Sequence, residues 1–512
     1  MKIKAVYLAL ALVLLFSLVA TIAPSGTAKA ATLCVNPGGT GVCNGSIQVA
    51  IDAADPTGGD TIIIAPGIYN EHDVTINKSL TIQGAGATST FVDGNDADSV
   101  FVINGTYKVN IIGMTIRNGN VTKEGGGIHN YYGNVTITNC TISGNEAEYG
   151  GGIKNGYGSM TIINSIVTGN KATYRGGGVQ NLYGNVTITD CTISGNNAEY
   201  GGGIFNRGGN ATVTNCTVDG NLADYGGGIY NLFDTMMLTN CTISSNNADD
   251  GGGLYNESGE VTLTNCTVSE NEADNGGGIF NEGGQVTMTN CTVSDNTARN
   301  GNGGGISTVI EDDTLTMTNC TISGNNASND GGGIYNKEDE VTLTNCTVSG
   351  NHADDEGGGI YNWADEGNVT MTCTIVYDNT AGFGGLNIVS SYTDAGGESI
   401  VGSPDPLLGP LQNNGGPTET HALLAGSPAI DACIVSCNLT TDQRGLPRPV
   451  DGDLDGTAYC DIGAYERQPA PPVGGTIEPV DRIGILAPWL GLTALIIVVI
   501  PVIVLMKRKR VA

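Results

Sequence analysis

Three groups of side chains in this sequence have types and spacings suited to chemistry. The first is Asp451-Gly452-Asp453-Leu454-Asp455-Gly456, where carboxylates at alternate positions can converge on one hard cation and glycine permits the sharp turn. The twelfth position of such a loop is Ile462 here rather than a glutamate, so Asp461 is the neighbour able to stand in. Asp451, Asp453, Asp455 and Asp461 therefore form a candidate calcium loop, with a solvated acidic turn as the alternative. The second group is a cysteine series, Cys140, Cys191, Cys216, Cys241, Cys266, Cys291, Cys320, Cys346 and Cys373, in which Ser165 fills the one gap. It reads as a stack of metal-binding or disulfide-forming thiols, or as small buried groups packed like alanines; the tolerated serine favours the second. The third group is aromatic. Phe205, Tyr230, Tyr255 and Phe280 each follow an aliphatic residue that should face inward, so they should face out, and Tyr335 and Tyr361 continue the series. Such a column can stack on sugar rings or a protein partner, or simply pack on itself.

Catalytic constellations are harder to find. Proton abstraction beside a carboxylate needs a basic residue, and glycoside hydrolysis needs clustered carboxylates. Lys154, Lys171, Arg175, Arg207, Arg299 and Lys337 look scattered, and His129 and His352 belong to different units. Paired acids such as Asp249-Asp250 and Asp354-Asp355 sit in polar links, where carboxylates are usually solvated. An acidic column, Glu148, Glu199, Asp224, Asp249 and Asp274, is expected to be solvated or loosely bridged by cations. No residue is assigned a catalytic role. The irregular units near Asn300–Asp313 and Trp363–Gly367 are where an active site would be sought.

These residues are placed by a repeat. Triple glycines begin at 125, 150, 176, 201, 226, 251, 276, 303, 331 and 357, most of them followed by an aliphatic-aromatic-Asn element and then by a segment such as Val261-Thr262-Leu263-Thr264-Asn265-Cys266-Thr267-Val268-Ser269. A period near 25 residues marks a solenoid whose units bury their apolar faces against one another. Within Val135-Thr136-Ile137-Thr138-Asn139-Cys140-Thr141-Ile142 the inward phase slips by one residue at Asn139. A slip that keeps the core face is a bend between strands, and asparagine suits the left-handed backbone it requires. Three short strands per unit rising in one direction make a parallel β-helix, with coils about 4.8 Å apart. Glycine and β-branched residues exclude helical repeats.

The flanks are distinct. Lys2 and Lys4, an apolar run and Ala28-Lys29-Ala30 read as a secretory signal over 1–30. Residues 31–124 form an N-terminal cap and the first coils: Cys34 and Cys43 are expected to pair, Ser46 should cap a helix over 46–54, and strands should follow from Thr61 to Ile112. The repeats occupy 125–403, a compact module 404–466 and a proline-rich stalk 467–484. Ile485 to Met506 carries no charge and precedes Lys507-Arg508-Lys509-Arg510, the pattern of one membrane helix (485–506) with a basic cytoplasmic tail (507–512). The net charge is −30, and the residues between signal and span hold 14 basic against 51 acidic side chains. That balance excludes nucleic acid as a partner, because phosphate binding needs Lys and Arg.

The repeat resembles that of the polymorphic outer membrane proteins, in the elements Gly226-Gly227-Gly228-Ile229 and Val268-Ser269-Glu270-Asn271. The resemblance implies a right-handed parallel β-helix and a surface adhesin, although a single helix replaces that family's secretory barrel. Gly59-Asp60-Thr61-Ile62-Ile63-Ile64-Ala65-Pro66-Gly67 resembles the entry to pectin-lyase-like β-helices in general. Asp405-Pro406-Leu407-Leu408-Gly409-Pro410, Asn414-Gly415-Gly416-Pro417, Gly426-Ser427-Pro428-Ala429-Ile430-Asp431, Asp442-Gln443-Arg444-Gly445 and Asp461-Ile462-Gly463-Ala464-Tyr465-Glu466 resemble a choice-of-anchor Q domain, which implies display at a cell surface. The expectation is an all-β right-handed β-helix anchored in a membrane by one C-terminal helix, its ectodomain outside. Its function would be that of an adhesin or of a structural or glycan-binding display protein, with a cell-bound polysaccharide-degrading enzyme as the rival. The partners expected are the membrane and surface glycans or proteins, and calcium is the one cofactor expected.

Overall fold

The computed structural model describes residues 30–310, 314–363, 367–434 and 437–469. The segments expected to be a secretory signal, a membrane helix and a basic tail, and most of the expected stalk, lie outside the described residues. Among the described residues no helix is long and apolar enough to cross a membrane.

Each coil lays one strand into each of three parallel sheets, of 13, 15 and 14 strands. In one coil these strands are Ile229–Leu232, Thr235–Thr239 and Thr242–Ser244, called here the first, second and third sheets. Identical residues lie in register from coil to coil, as in Ile204 against Ile229 and Asn206 against Asn231. The inward set follows the alternation in the sequence: Val135, Ile137, Cys140 and Ile142 are all buried in one continuous core. A fourth short strand, such as Glu272–Ala273, pairs with its equivalents in some coils, one more per coil than the sequence pattern suggests. At the entry, helix α1 (Ile47–Ala53) is capped by Ser46, which accepts from the Val49 amide, and it buries Ile47, Ala50 and Ile51.

The recurring letters are explained by stacking. Gly226 has φ +64°, a conformation that disfavours a side chain. A Cβ on Gly227 would stand 2.5 Å from the Asn247 carbonyl oxygen, and one on Gly228 would stand 2.6 Å from that of Gly253, so backbone packs directly on backbone there. Two buried asparagine ladders hold the turns. In one, the Asn246 amide donates to Asn271 Oδ1 and to the Val218 carbonyl, each at 3.0 Å, and its own oxygen accepts from Asn221. Bend residues Asn215, Asn240 and Asn265 have φ near +53° and form an exposed amide ladder.

The cysteine series has a local physical cause. Each free thiol donates to the carbonyl two residues before itself, as Cys216 does to Thr214, and Cys216, Cys266, Cys291 and Cys320 also accept the amide of the equivalent residue one coil earlier, as Cys191 N–H donates to Cys216 Sγ at 3.4 Å. Ser165 makes the same two bonds, to the Cys140 amide and the Ile163 carbonyl, which is why serine is accepted. Eight of these cysteines are free and buried. Cys373 leaves the series and is bonded to Cys433, while Cys437 is bonded to Cys460.

Those two disulfides belong to a C-terminal segment that lies along the third sheet, and the chain through Arg467 is one compact unit. Gln443 donates to the Cys291 carbonyl and accepts from Thr321, the Asn319 amide reaches the Thr441 carbonyl, and Ala464 N–H donates to Thr347. The outward residues of the third sheet change accordingly. Thr242 is exposed in its coil, whereas Thr292, Thr321 and Thr347 are buried under the segment.

Candidate functional site

The first sheet ends each coil in a tight turn pinned from below by a buried asparagine. Asn130, Asn155 and Asn181 donate to the carbonyls of Gly133, Gly158 and Gly184 at 2.9, 3.0 and 2.7 Å, and each also donates to the next asparagine above. The residue two places after each asparagine is thereby turned to solvent. In three successive coils it is Tyr132, Tyr157 and Tyr183, with exposures of 45%, 52% and 48%. Their rings stack at centroid separations of 5.4 and 5.3 Å with interplanar angles of 24° and 17°. Tyr183 folds over Gly208, where a side chain would clash with its ring, and Phe233 resumes the column one coil later, 58% exposed. Tyr183 and Phe233 have φ +63° and +68°, an unfavourable backbone for large side chains. Beside the tyrosines runs a cleft of about 320 Å³ bordered by Asn134, Ser159 and Asn185, and beside Phe233 one of about 380 Å³.

The aromatic column expected to face a ligand does not. Phe205, Tyr230, Tyr255 and Phe280 stack at 5.5, 4.9 and 5.0 Å, but they are 0%, 3%, 5% and 8% exposed. They point away from the solenoid core and are roofed by Tyr200, Tyr225 and Val309, forming a second apolar cluster. Tyr230 and Tyr255 donate their hydroxyls to Glu257 and Glu282. Burial, and then these carboxylates, push both phenols well above the usual tyrosine range. The sequence alternation gave the direction of these rings correctly and missed the roof, because the covering residues come from the polar links.

The basic residues are less scattered than they look. His129 and Lys154 are register partners in the first sheet, one coil apart. Lys154 Nζ lies 2.6 Å and His129 Nε2 3.3 Å from the Glu124 carboxylate, and the lysine sits over the Tyr149 ring. Burial chiefly holds the His129 pKa below its ordinary value, Lys154 adding to the effect and Glu124 opposing it. A buried, ion-paired lysine has no free electron pair with which to act as a base. Aligning the residue before each first-sheet asparagine (His129, Lys154, Gln180, Phe205) was the signal that would have found this cluster. Farther along, Arg175 stacks on Tyr174, Tyr200 and Phe205 with its guanidinium carbon 4.5, 5.8 and 5.2 Å from the ring centres.

The acidic loop is a self-bonded turn. The Asp455 amide donates to Asp451 and Asp453, and the Gly456 amide to Asp451. Asp431, Asp451 and Asp453 each bring one oxygen within 4.8 Å of the others, so Asp431 takes the place expected of Asp461 and Asp455 stands outside the set. Asp431 already accepts from the amides of Gly452, Asp453 and Tyr459. Asp461 is buried and turned to the amides of Asp431 and Arg467 at 2.7 and 2.5 Å. Burial, with Glu466 adding to it, pushes its pKa up to about 7. Three oxygens are few for calcium, which takes 6–8. At the entry, Cys34 and Cys43 are joined with their Cα atoms 4.7 Å apart.

The profile of the right-handed β-helix region matches residues 67–236 and 202–376, more than half of the chain. The chain belongs to the right-handed β-helix family. No curated protein matches it. Among solved structures it is similar to pectate lyase Pel9A, at 15% identity over 87% of this chain and 98% of that one with a TM-score of 0.39. It is also similar to the pectin methylesterase from Aspergillus niger, at 18% identity over 57% of this chain and 86% of that one with a TM-score of 0.29. These likenesses concern the β-helical path alone.

Proposed function

We propose that this β-helix is a surface-displayed carbohydrate-binding protein whose ligand lies along the Tyr132, Tyr157 and Tyr183 ladder. The observation that carries the reading is the exposure of these three stacked rings, whereas the column from Phe205 to Phe280 is sealed. A ladder serving only to stabilise the sheet gains nothing from half-exposed faces, and the left-handed backbone at Tyr183 and Phe233 is a cost that packing alone does not repay. One ring per coil, parallel to the solenoid axis, suits an extended glycan that meets one sugar face at each step. The signal, the apolar span at 485–506 and the choice-of-anchor-like segments support anchoring to a membrane, with the solenoid displayed outside the cell as an adhesin or glycan-binding surface.

The test is a glycan array followed by titration calorimetry on the best binder. Tyr157→Ala with Tyr183→Asn, which also relieves the backbone at 183, removes two ring contacts worth about 0.5–1.5 kcal/mol each, a loss of about 5- to 150-fold in affinity. Unchanged affinity in the double variant would refute the reading.

A further inference from the structure

The gap in the exposed ladder borders a second cleft. Gly208 leaves the aromatic column without a ring between Tyr183 and Phe233, and the residue before it is Arg207. Arg207 and Arg175, from adjacent coils, line one cleft of about 310 Å³ with Tyr200, Leu232, Phe233 and Glu257, over a floor of Phe205 and Tyr230. Phe233 borders both this cleft and the one of about 380 Å³ beside it, so one side chain walls the two.

The arginines of this cleft lack the carboxylate partner that four other arginines have. Arg117, Arg299, Arg444 and Arg448 each have a carboxylate within ion-pair distance. Among the described residues neither Arg175 nor Arg207 has one, although the chain carries 51 acidic side chains. Glu257 lines the same cleft, but its carboxylate is held by the Tyr230 hydroxyl, and Asp234 is turned to the Gly208 amide. Arg175 is fixed by three aromatic faces, its Nη2 reaches only the Tyr174 hydroxyl at 3.4 Å, and its Nε–H is buried without a hydrogen-bond partner. Arg175, held without a counter-ion against three rings in a concave site, is preorganised for an anion, because much of the desolvation and ordering that binding demands is already met there, and the partly exposed Arg207 adds a second guanidinium to the same lining.

We propose that the Arg175–Arg207 cleft takes an anionic substituent, a carboxylate or a sulfate ester, of a glycan lying across the ladder. The protein would thus select acidic over neutral polysaccharide despite its own negative charge. The inference rests on the carbohydrate-binding reading above and adds the ligand's charge to it. Selectivity comes from the two arginines, while length-dependent affinity comes from the tyrosines. Steering by the whole chain opposes the ligand, so binding should strengthen as salt screens the acidic surface and weaken only when the cleft itself is screened.

The experiment compares an array holding hyaluronan hexasaccharide (carboxylate only), its carboxyl-reduced neutral derivative and a carrageenan hexasaccharide (sulfate only), probed with the wild type, Arg175→Gln, Arg207→Glu and the tyrosine double variant. Arg207→Glu alters a partly exposed side chain, so the fold is retained even if the stacked Arg175 proves structural, and circular dichroism checks both. The expected result is that at least one acidic member binds about tenfold or more tightly than the neutral one, and that Arg207→Glu abolishes this preference. Which acidic member binds identifies the anion. Binding of both acidic hexasaccharides no tighter than that of the reduced one overturns the proposal while leaving the ladder intact. Acidic preference that survives Arg207→Glu and Arg175→Gln also overturns it. Loss of preference in the arginine variants with no effect of the tyrosine double variant sinks the ladder reading and keeps the cleft. No binding to any member overturns both.

Discussion

Replacing Asn246 by leucine tests whether the buried amide ladder, rather than the apolar core alone, holds the coils in register. Asn246 is wholly buried, donates to Val218 and Asn271, and accepts from both the backbone and the side chain of Asn221, all at 2.9–3.0 Å. Leucine has the same branching and number of side-chain heavy atoms, so no cavity opens, and its bulkier methyls can only add strain to the loss of hydrogen bonding. The Asn221 amide and the Val218 carbonyl lose this partner in a water-free interior. At about 1–3 kcal/mol for each orphaned group, the variant should be destabilised by about 2–6 kcal/mol. The control is Asn265→Gly. Asn265 is the same residue type in an exposed ladder, with φ +54° and one amide bond of 3.1 Å to Asn240. Water replaces that bond and glycine suits that backbone, so the loss should be about 1 kcal/mol or less. Equilibrium urea unfolding of both purified variants, followed by far-ultraviolet circular dichroism, measures the difference. Equal shifts in midpoint would refute the argument that burial, and not asparagine as such, makes the ladder.

Other outcomes are expected. Denatured but unreduced protein should titrate eight thiols, and reduction should raise this to all 14; fewer than eight would place further disulfides within the buried series. Cys266→Ser should be nearly neutral and Cys266→Ala destabilising by about 1–3 kcal/mol, since only serine can still accept the Cys241 amide; equal effects would show that the thiol is a space-filler. Burial pushes the Asp461 carboxyl up to about 7 from an ordinary aspartate value of about 3.8. The folded state therefore holds the proton more tightly, and the stabilisation is complete below about pH 4 and lost as pH rises to about 7. Hydrogen exchange in residues 404–467 should accelerate from pH 5 to pH 8 beyond its intrinsic pH dependence, and Asp461→Asn should flatten that excess.

The solenoid was legible in the sequence because its cause is local. A one-residue slip at Asn139, triple glycines at fixed spacing and inward aliphatic pairs each report what a stacked coil demands of its own backbone. The cap helix was legible for the same reason, with Ser46 beside a helical period. What was not legible depends on contacts between distant segments. The roof over Phe205 and Tyr230 comes from Tyr200, Tyr225 and Val309, and the displacement of Asp461 by Asp431 arises from a fold that joins residues 30 positions apart. The pairing of Cys373 with Cys433 depends on the C-terminal segment folding back along the third sheet. The exposed ladder lies between these cases. Its spacing was present at 132, 157 and 183, but the aromatic residues beside the glycines drew attention first.

The most direct measurement is a crystal structure of the protein with a bound oligosaccharide chosen from the array. The account predicts sugar rings packed against the exposed parts of Tyr132, Tyr157 and Tyr183, one per coil along the solenoid axis, with the chain continuing toward Phe233. Sugar ordered elsewhere, with those three rings bare, would contradict it.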